Sequence, residues 1–166
     1  MRFAFYLIGN RDRNGVIDGV SIRYGGSAVS GTDTSVVVMA EQLVLLGHDA
    51  VVACERPPAE GGRNVRGVRY TDLDFSDLGD RERSFDVFVN TLWFQRYEED
   101  LVGRVEVTRA VVQWCHMQYV YGADECARFC RARGLRIRVA APSAWCMEKL
   151  KPTLDAQFGQ CVAVFR

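Results

Sequence analysis

Apolar positions fall into short runs along the chain, each closed by a turn-forming residue and separated from the next by a polar stretch. The run "RFAFYLIG" ends at Gly9, and its length and closure predict a buried strand. "NRDRNGVIDGVSIRYGGSAVSG" is polar and holds five glycines, which predicts a long loop with a small hairpin at "VIDGVSI". From Thr34 to Leu46 the apolar residues sit at 36, 37, 40, 43 and 44, the spacing of a helix. Ser30, Thr32, Asp33 and Thr34 offer N-cap oxygens, and Gly47 is a helix stop. "DAVVAC" then predicts a second buried strand, so the first fifty-odd residues read as one βαβ crossover.

The pattern continues. "ERPPAEGGRNVRG" reads as a loop, "VRYTDL" as a third strand, and Val87–Val89 in "SFDVFVNTLWF" as a fourth. "VTRAVVQWCH" supplies a fifth strand. "GADECARFCRARG" reads as a helix whose basic last turn suits the helix dipole. "LRIRVAAPS" is a sixth strand ended by Pro142, "AWCMEKLKPTL" a short helix, and "QCVAVFR" opens another strand. Strands alternating with helices predict an α/β fold with a mostly parallel sheet in a single domain, 1–166. Ligands of such sheets sit at the carboxyl ends of the strands, so the residues just after each strand are the candidates for function.

Composition narrows the class. Apolar residues make up 48% and charged residues 25%, which predicts a packed core. Lysine plus arginine balances aspartate plus glutamate at 21 each, which argues against a nucleic-acid-binding domain. No apolar run is long enough for a transmembrane segment or a signal-peptide core, so a cytoplasmic protein is expected. The six cysteines form no Cys-x-x-Cys pair and only two histidines accompany them; reduced, mostly buried thiols and no metal site are expected.

Ser30, Gly31 and Thr32 stand before the first helix. A helix N-terminus favours phosphate, and a glycine lets a ligand approach the backbone; an ordinary capped helix start reads the same way. Neither Gly-x-Gly-x-x-Gly after the first strand nor Gly-x-x-x-x-Gly-Lys-Ser/Thr is present, which disfavours a nicotinamide-dependent oxidoreductase and a P-loop. His116 follows the fifth strand among Trp114, Met117, Gln118, Tyr119 and Tyr121, positioned to hydrogen-bond or titrate, or else to be a core histidine satisfied by a carbonyl. His48, after Gly47, reads as a helix-end residue. Asn90, Thr91, Trp93 and Gln95 combine amides with an aromatic, which suits sugars; a helix start with Trp93 buried is the alternative. Glu98, Glu99 and Asp100 read as a solvated face. Ser143 after Pro142 is a good N-cap, and without a Gly-x-Ser-x-Gly elbow it is no hydrolase nucleophile.

Taken in order, "RFAFYLIG", "SGTDTSVVVMAEQLVLLGHDAVVAC", "GVRY", "FDVFVNT", "VVQWCHMQ" and "RVAAPSAWCMEKL" resemble the N-terminal half of a GT-B glycosyltransferase, most similar to the large retaining group often called GT4. That family has a Gly-Gly loop before its first helix and ends the helix with Gly-His-Glu-Val. Here Ser30-Gly31 and Gly47-His48-Asp49-Ala50 match, with serine in place of the first glycine. The resemblance implies a Rossmann-like doubly wound sheet with helices on both faces, one half of a GT-B fold. It implies the acceptor-side domain of a nucleotide-sugar-dependent hexosyltransferase, with the donor diphosphate touching Ser30, Gly31 and Thr32. It places His116 at the transferred sugar as the catalytic-site residue, and an acceptor near Asn90, Trp93, Gln95, Gln118 and Tyr119, with Ser143 in a strand-end loop. The acceptor is a glycan, lipid or small molecule. No cofactor or metal is implied beyond the nucleotide-diphosphate sugar as co-substrate. The family's Glu-x7-Glu donor half has no counterpart in these residues, so a C-terminal donor-binding domain or partner subunit is expected, and this half is expected to be inactive alone. A non-catalytic Rossmann-like module that docks onto a partner or a small anionic ligand is the alternative.

Overall fold

The computed structural model describes residues 1–7, 31–55, 57–58, 64–91, 104–115, 123–141, 143–158 and 164–165. The described residues form an α/β structure around one sheet. Its strands are β1 (Arg2–Leu7), β2 (Asp49–Cys54), β3 (Asn64–Val65), β4 (Val68–Thr71), β5 (Ser84–Asn90), β6 (Glu106–Trp114), β7 (Arg136–Ala140) and β8 (Val164–Phe165). The helices are α1 (Gly31–Leu45), α2 (Ala123–Ala132) and α3 (Ala144–Phe158), with a 3₁₀ turn at Asp80–Arg83.

The strands lie in the order β3-β4-β2-β1-β5-β6-β7-β8. The six longer ones, β4 through β7 in that order, are all parallel; β8 extends them in parallel, and β3 pairs antiparallel to β4. The chain builds outward from β1 to β2 and β4, then returns to the other side of β1 to place β5, β6 and β7. That reversal is the order of a doubly wound sheet, with its switch point between β1 and β5.

Both faces of the sheet are covered, as continuous apolar strands require. On one face Phe5, Leu7, Val52, Cys54 and Val89 pack against Val36, Val37 and Ala40 of α1. On the other, Ala4, Tyr6, Phe88, Val111 and Val139 pack against Phe129 and Cys130 of α2 and Met147 and Leu150 of α3. The loop from β4 to β5 also crosses this second face, contributing Phe75 and Leu78. Phe75 adopts φ 54, rare for a bulky residue, and its ring is fully buried against Tyr6 and Phe85. Burying a phenylalanine contributes roughly 1.5–3 kcal/mol, enough to offset the backbone strain.

Three elements differ from the sequence pattern. α1 begins at Gly31, so Thr32, Asp33 and Thr34, offered by the sequence as N-caps, lie inside the helix, with Asp33 a buried first-turn acid at its positive end. The stretch read as a loop before β4 contains β3, joined to β4 by a two-residue turn with Arg66 at φ 54 and Gly67 at φ 79. Positive φ at both positions is the hairpin geometry that matches strand twist. A Cβ at Gly67 would stand 2.6 Å from Val44 Cγ1, so the glycine also admits α1. Finally, α3 continues through Pro152 to Phe158, accepting the loss of one backbone hydrogen bond.

The amino edge of the sheet is tied by ions. Arg2 donates through its guanidinium to the carbonyls of Arg81 (3.1 Å), Glu82 (2.8 Å) and Ser84 (3.0 Å), which gathers the end of the 3₁₀ turn. Its backbone N–H donates to Asp86 Oδ2 at 2.9 Å, and Arg109 pairs with Asp86 Oδ1 at 2.9 Å. The Arg2 N–H and then the Arg109 charge hold the Asp86 carboxyl below its usual range. Glu82 is likewise lowered, first by the Gly79 N–H it accepts and then by Arg69.

Candidate functional site

Parallel register carries one polar row across the sheet near its carboxyl edge. Thr71, Ala53, Tyr6, Asn90, Gln113 and Val139 are successive neighbours on β4, β2, β1, β5, β6 and β7. Asn90 and Gln113 are buried at 0% and 2% exposure. Asn90 Nδ2 donates to Gln113 Oε1 at 3.2 Å, and Gln113 Nε2 donates to the Asn90 carbonyl at 3.4 Å. The Asn90 Oδ1 acceptor has no hydrogen-bond partner. A buried amide oxygen left unmatched is costly, and it is an acceptor that a water or a ligand can satisfy.

Thr91 ties the end of β5 to β1. Its Oγ1 donates to the Tyr6 carbonyl at 2.9 Å and its N–H to the same oxygen at 3.4 Å, joining β1 to the end of β5. Cys115 closes β6, its N–H donating to the Ala140 carbonyl at 2.8 Å. Burial pushes the Cys115 thiol up to about 12, so it stays protonated and apolar. Thr71 Oγ1 donates to Asp77, and Asp72 accepts the N–H groups of Asp74 and Ser76. The described side chains here are amides, hydroxyls and a buried thiol, with the Asp72 and Asp77 carboxylates accepting local hydrogen bonds.

α1 joins the carboxyl end of β1 to the amino end of β2, so its first turn lies at this same edge. A Cβ on Gly31 would meet nothing within 4 Å, which leaves open space at the helix start. Thr32 is half-buried within the first turn. Asp33, in that turn, already brings a carboxylate to the positive end of the helix. Beside α1 an apolar groove of about 250 Å³ runs over the sheet between Met39, Leu43, Phe5, Val89, Val112 and Trp114.

Of the residues expected from sequence, Gly31, Thr32, Asn90 and Ser143 are described. Gly31 and Thr32 open α1 over one face of the sheet, whereas Asn90 ends β5 with its side chain on the opposite face. Ser143 acts as the expected cap: its Oγ accepts the Cys146 N–H at 3.2 Å. His48 is the helix-end residue expected, its N–H donating to the Leu43 carbonyl while its ring rests 5.6 Å from Phe3. Ser30, Trp93, Gln95, His116, Gln118 and Tyr119 lie outside the described residues. Sequence reasoning passed over Gln113. Its signal was present, a lone amide inside the apolar run "AVVQWC", where a buried strand has no ordinary use for one.

The free cysteines Cys54, Cys115 and Cys130 are buried, as expected. Among the described residues no cluster of His, Cys, Asp and Glu could hold a metal ion, and no helix is long and apolar enough to cross a membrane. Comparison with known proteins found no match: no family model, no curated protein and no solved structure is significantly similar to this chain.

Proposed function

We propose that this chain is the acceptor-side, Rossmann-like half of a GT-B glycosyltransferase of the retaining, GT4-like kind, which works with a C-terminal donor-binding domain or partner subunit. One observation carries the reading. The sheet reverses between β1 and β5, and its carboxyl edge carries the open start of α1 over one face and, on the other, a buried amide pair whose Asn90 Oδ1 is unmatched. An open helix start accepts a phosphate oxygen, and a buried amide acceptor accepts a sugar hydroxyl. In this reading, N–H groups near Gly31 and Thr32 stabilise the leaving diphosphate as its charge grows. His116, one residue beyond Cys115 and β6, orients the transferred sugar. The aromatic-lined groove beside α1 serves the acceptor.

The test is a ligand-observed NMR titration of the chain with uridine, guanosine and adenosine diphosphate sugars, with NADH in parallel. Weak binding of a diphosphate sugar, lost in Asn90→Leu/Gln113→Leu, supports the proposal. Tight NADH binding with no response to any diphosphate sugar overturns it. In the complete enzyme, His116→Ala is expected to cut turnover strongly with the fold intact.

Of the non-catalytic readings, docking onto a partner rather than binding a small anionic ligand draws on Asp33. Its carboxylate already occupies the first turn of α1 and weakens the pull on a second anion there. Neutral carbohydrates binding as well as their diphosphate derivatives would favour it.

A further inference from the structure

Among the described residues, the face of the sheet that carries α1 has a helix over only half its width. α1 packs over β1 and β2, whereas α2, α3 and the loop from β4 to β5 pack on the opposite face. The groove beside α1 opens over the other half, on β5, β6 and β7.

Parallel register gives the floor of that half a repeating composition. Phe3, Val87, Ala110 and Arg136 are neighbours across β1, β5, β6 and β7. Two residues further along, Phe5, Val89, Val112 and Arg138 form the next such row. Ile137 and Val139 point into the core of the opposite face, so Arg136 and Arg138 stand on the groove side. Each row thus begins with a phenylalanine beside α1 and ends with an arginine, about 14 Å away at three strand spacings of ~4.8 Å. Met39 and Leu43 wall the phenylalanine end, and no charged side chain lines the groove between the two ends.

The arginines have donors to spare. Arg138 is half-buried, its Nη1 donating to the Ile137 carbonyl at 3.3 Å, and Arg136 is exposed. Among the described residues no carboxylate pairs with either. A guanidinium fork partly withdrawn from water favours an oxyanion that can take two of its N–H groups. The floor offers no side-chain hydrogen bond, so it holds hydrocarbon rather than a hydroxylated ring. We infer that the groove takes an anionic amphiphile, with one hydrocarbon chain lying across β6 and β5 toward Met39 and Leu43 and an oxyanion head on Arg138 and Arg136. The groove is the one given to the acceptor above, so the inference names the acceptor's chemical class and rests on that reading.

The test is a calorimetric titration of the full chain with decyl phosphate, decyl maltoside and inorganic phosphate, each detergent kept below its micellar concentration. Decyl phosphate should bind at least about tenfold more tightly than the other two. Arg136→Gln/Arg138→Gln should weaken decyl phosphate about tenfold and leave decyl maltoside unchanged. Met39→Glu, at an exposed position on the groove wall, should weaken decyl phosphate with an unchanged circular-dichroism spectrum. No binding of decyl phosphate overturns the inference. So does inorganic phosphate or decyl maltoside bound as tightly, since the first makes the arginines a free-phosphate site and the second takes the head away from them. Binding to phosphatidylglycerol vesicles without binding of monomeric decyl phosphate would assign the arginines to a bilayer surface and overturn it too. If the arginine variant does not fold, the three ligands and Met39→Glu decide. Diphosphate-sugar binding without decyl phosphate binding overturns this inference and leaves the transferase reading standing. Decyl phosphate binding with no response to any diphosphate sugar keeps the amphiphile site and overturns the transferase reading.

Discussion

The two edges of the sheet treat polar groups in opposite ways. At the amino edge every principal group is matched: Arg2 serves three carbonyls, Asp86 takes the Arg2 N–H and Arg109, and Glu82 takes the Gly79 N–H and Arg69. At the carboxyl edge Asn90 and Gln113 are more deeply buried, yet one acceptor is left over. A saturated network resists change, and its worth is structural. An unsaturated one gives up stability that a ligand can return. The difference separates the frame of this protein from its candidate site.

Substitutions can break that comparison. The largest effect is expected at the amino-edge hairpin: Gly67→Val combines a positive φ with a Cβ pressed onto Val44, and should cost about 3 kcal/mol in urea unfolding. Arg2→Ala should cost about 2 kcal/mol, because three carbonyls lose a charged donor and the Phe85 ring loses its cation. At the carboxyl edge Asn90→Leu alone should cost about 1–2 kcal/mol by stranding Gln113 Oε1. Adding Gln113→Leu should recover part of that loss, since it removes the stranded Oε1 and gives up only the 3.4 Å bond to the residue 90 carbonyl. A double variant less stable than either single one would mean that the amide pair belongs to the frame.

Acid sharpens the same contrast. Asp86 and Glu82 are held below their ordinary values of 3.8 and 4.5, so the folded state binds fewer protons than the unfolded chain. Their contribution is complete above those ordinary values and disappears as pH falls through the lowered ones. Thermal midpoints should therefore drop below about pH 4.5, and less steeply in Asp86→Asn, which keeps an acceptor for Arg2 and loses the charge. The smallest effect is kinetic. With its thiol held near 12, Cys115 should resist iodoacetamide at mildly alkaline pH until the protein unfolds, and mass spectrometry should find half-buried Cys146 modified before it.

Much of the frame was legible in the sequence. Apolar runs locate β1, β2, β4, β5, β6 and β7: β1 and β2 are continuous because both their faces are buried, while β6 and β7 keep polar residues at their half-exposed positions. Gly47 marks the end of α1 by adopting φ 82, and Ser143 caps α3. β3 was not legible: two residues have no period, and Arg66 hides a turn ordinarily signalled by Asn-Gly.

What the sequence alone determined is the alternation of elements and the strand ends on which function sits, since both follow from the local rhythm of apolar residues and from single turn formers. Only the tertiary structure decided that Asn90 meets Gln113, that Asp33 turns inward, and that Arg138 borders an apolar groove. Each depends on strand register and on what packs above a given face. Those are contacts between residues far apart in the chain, and no local pattern encodes them.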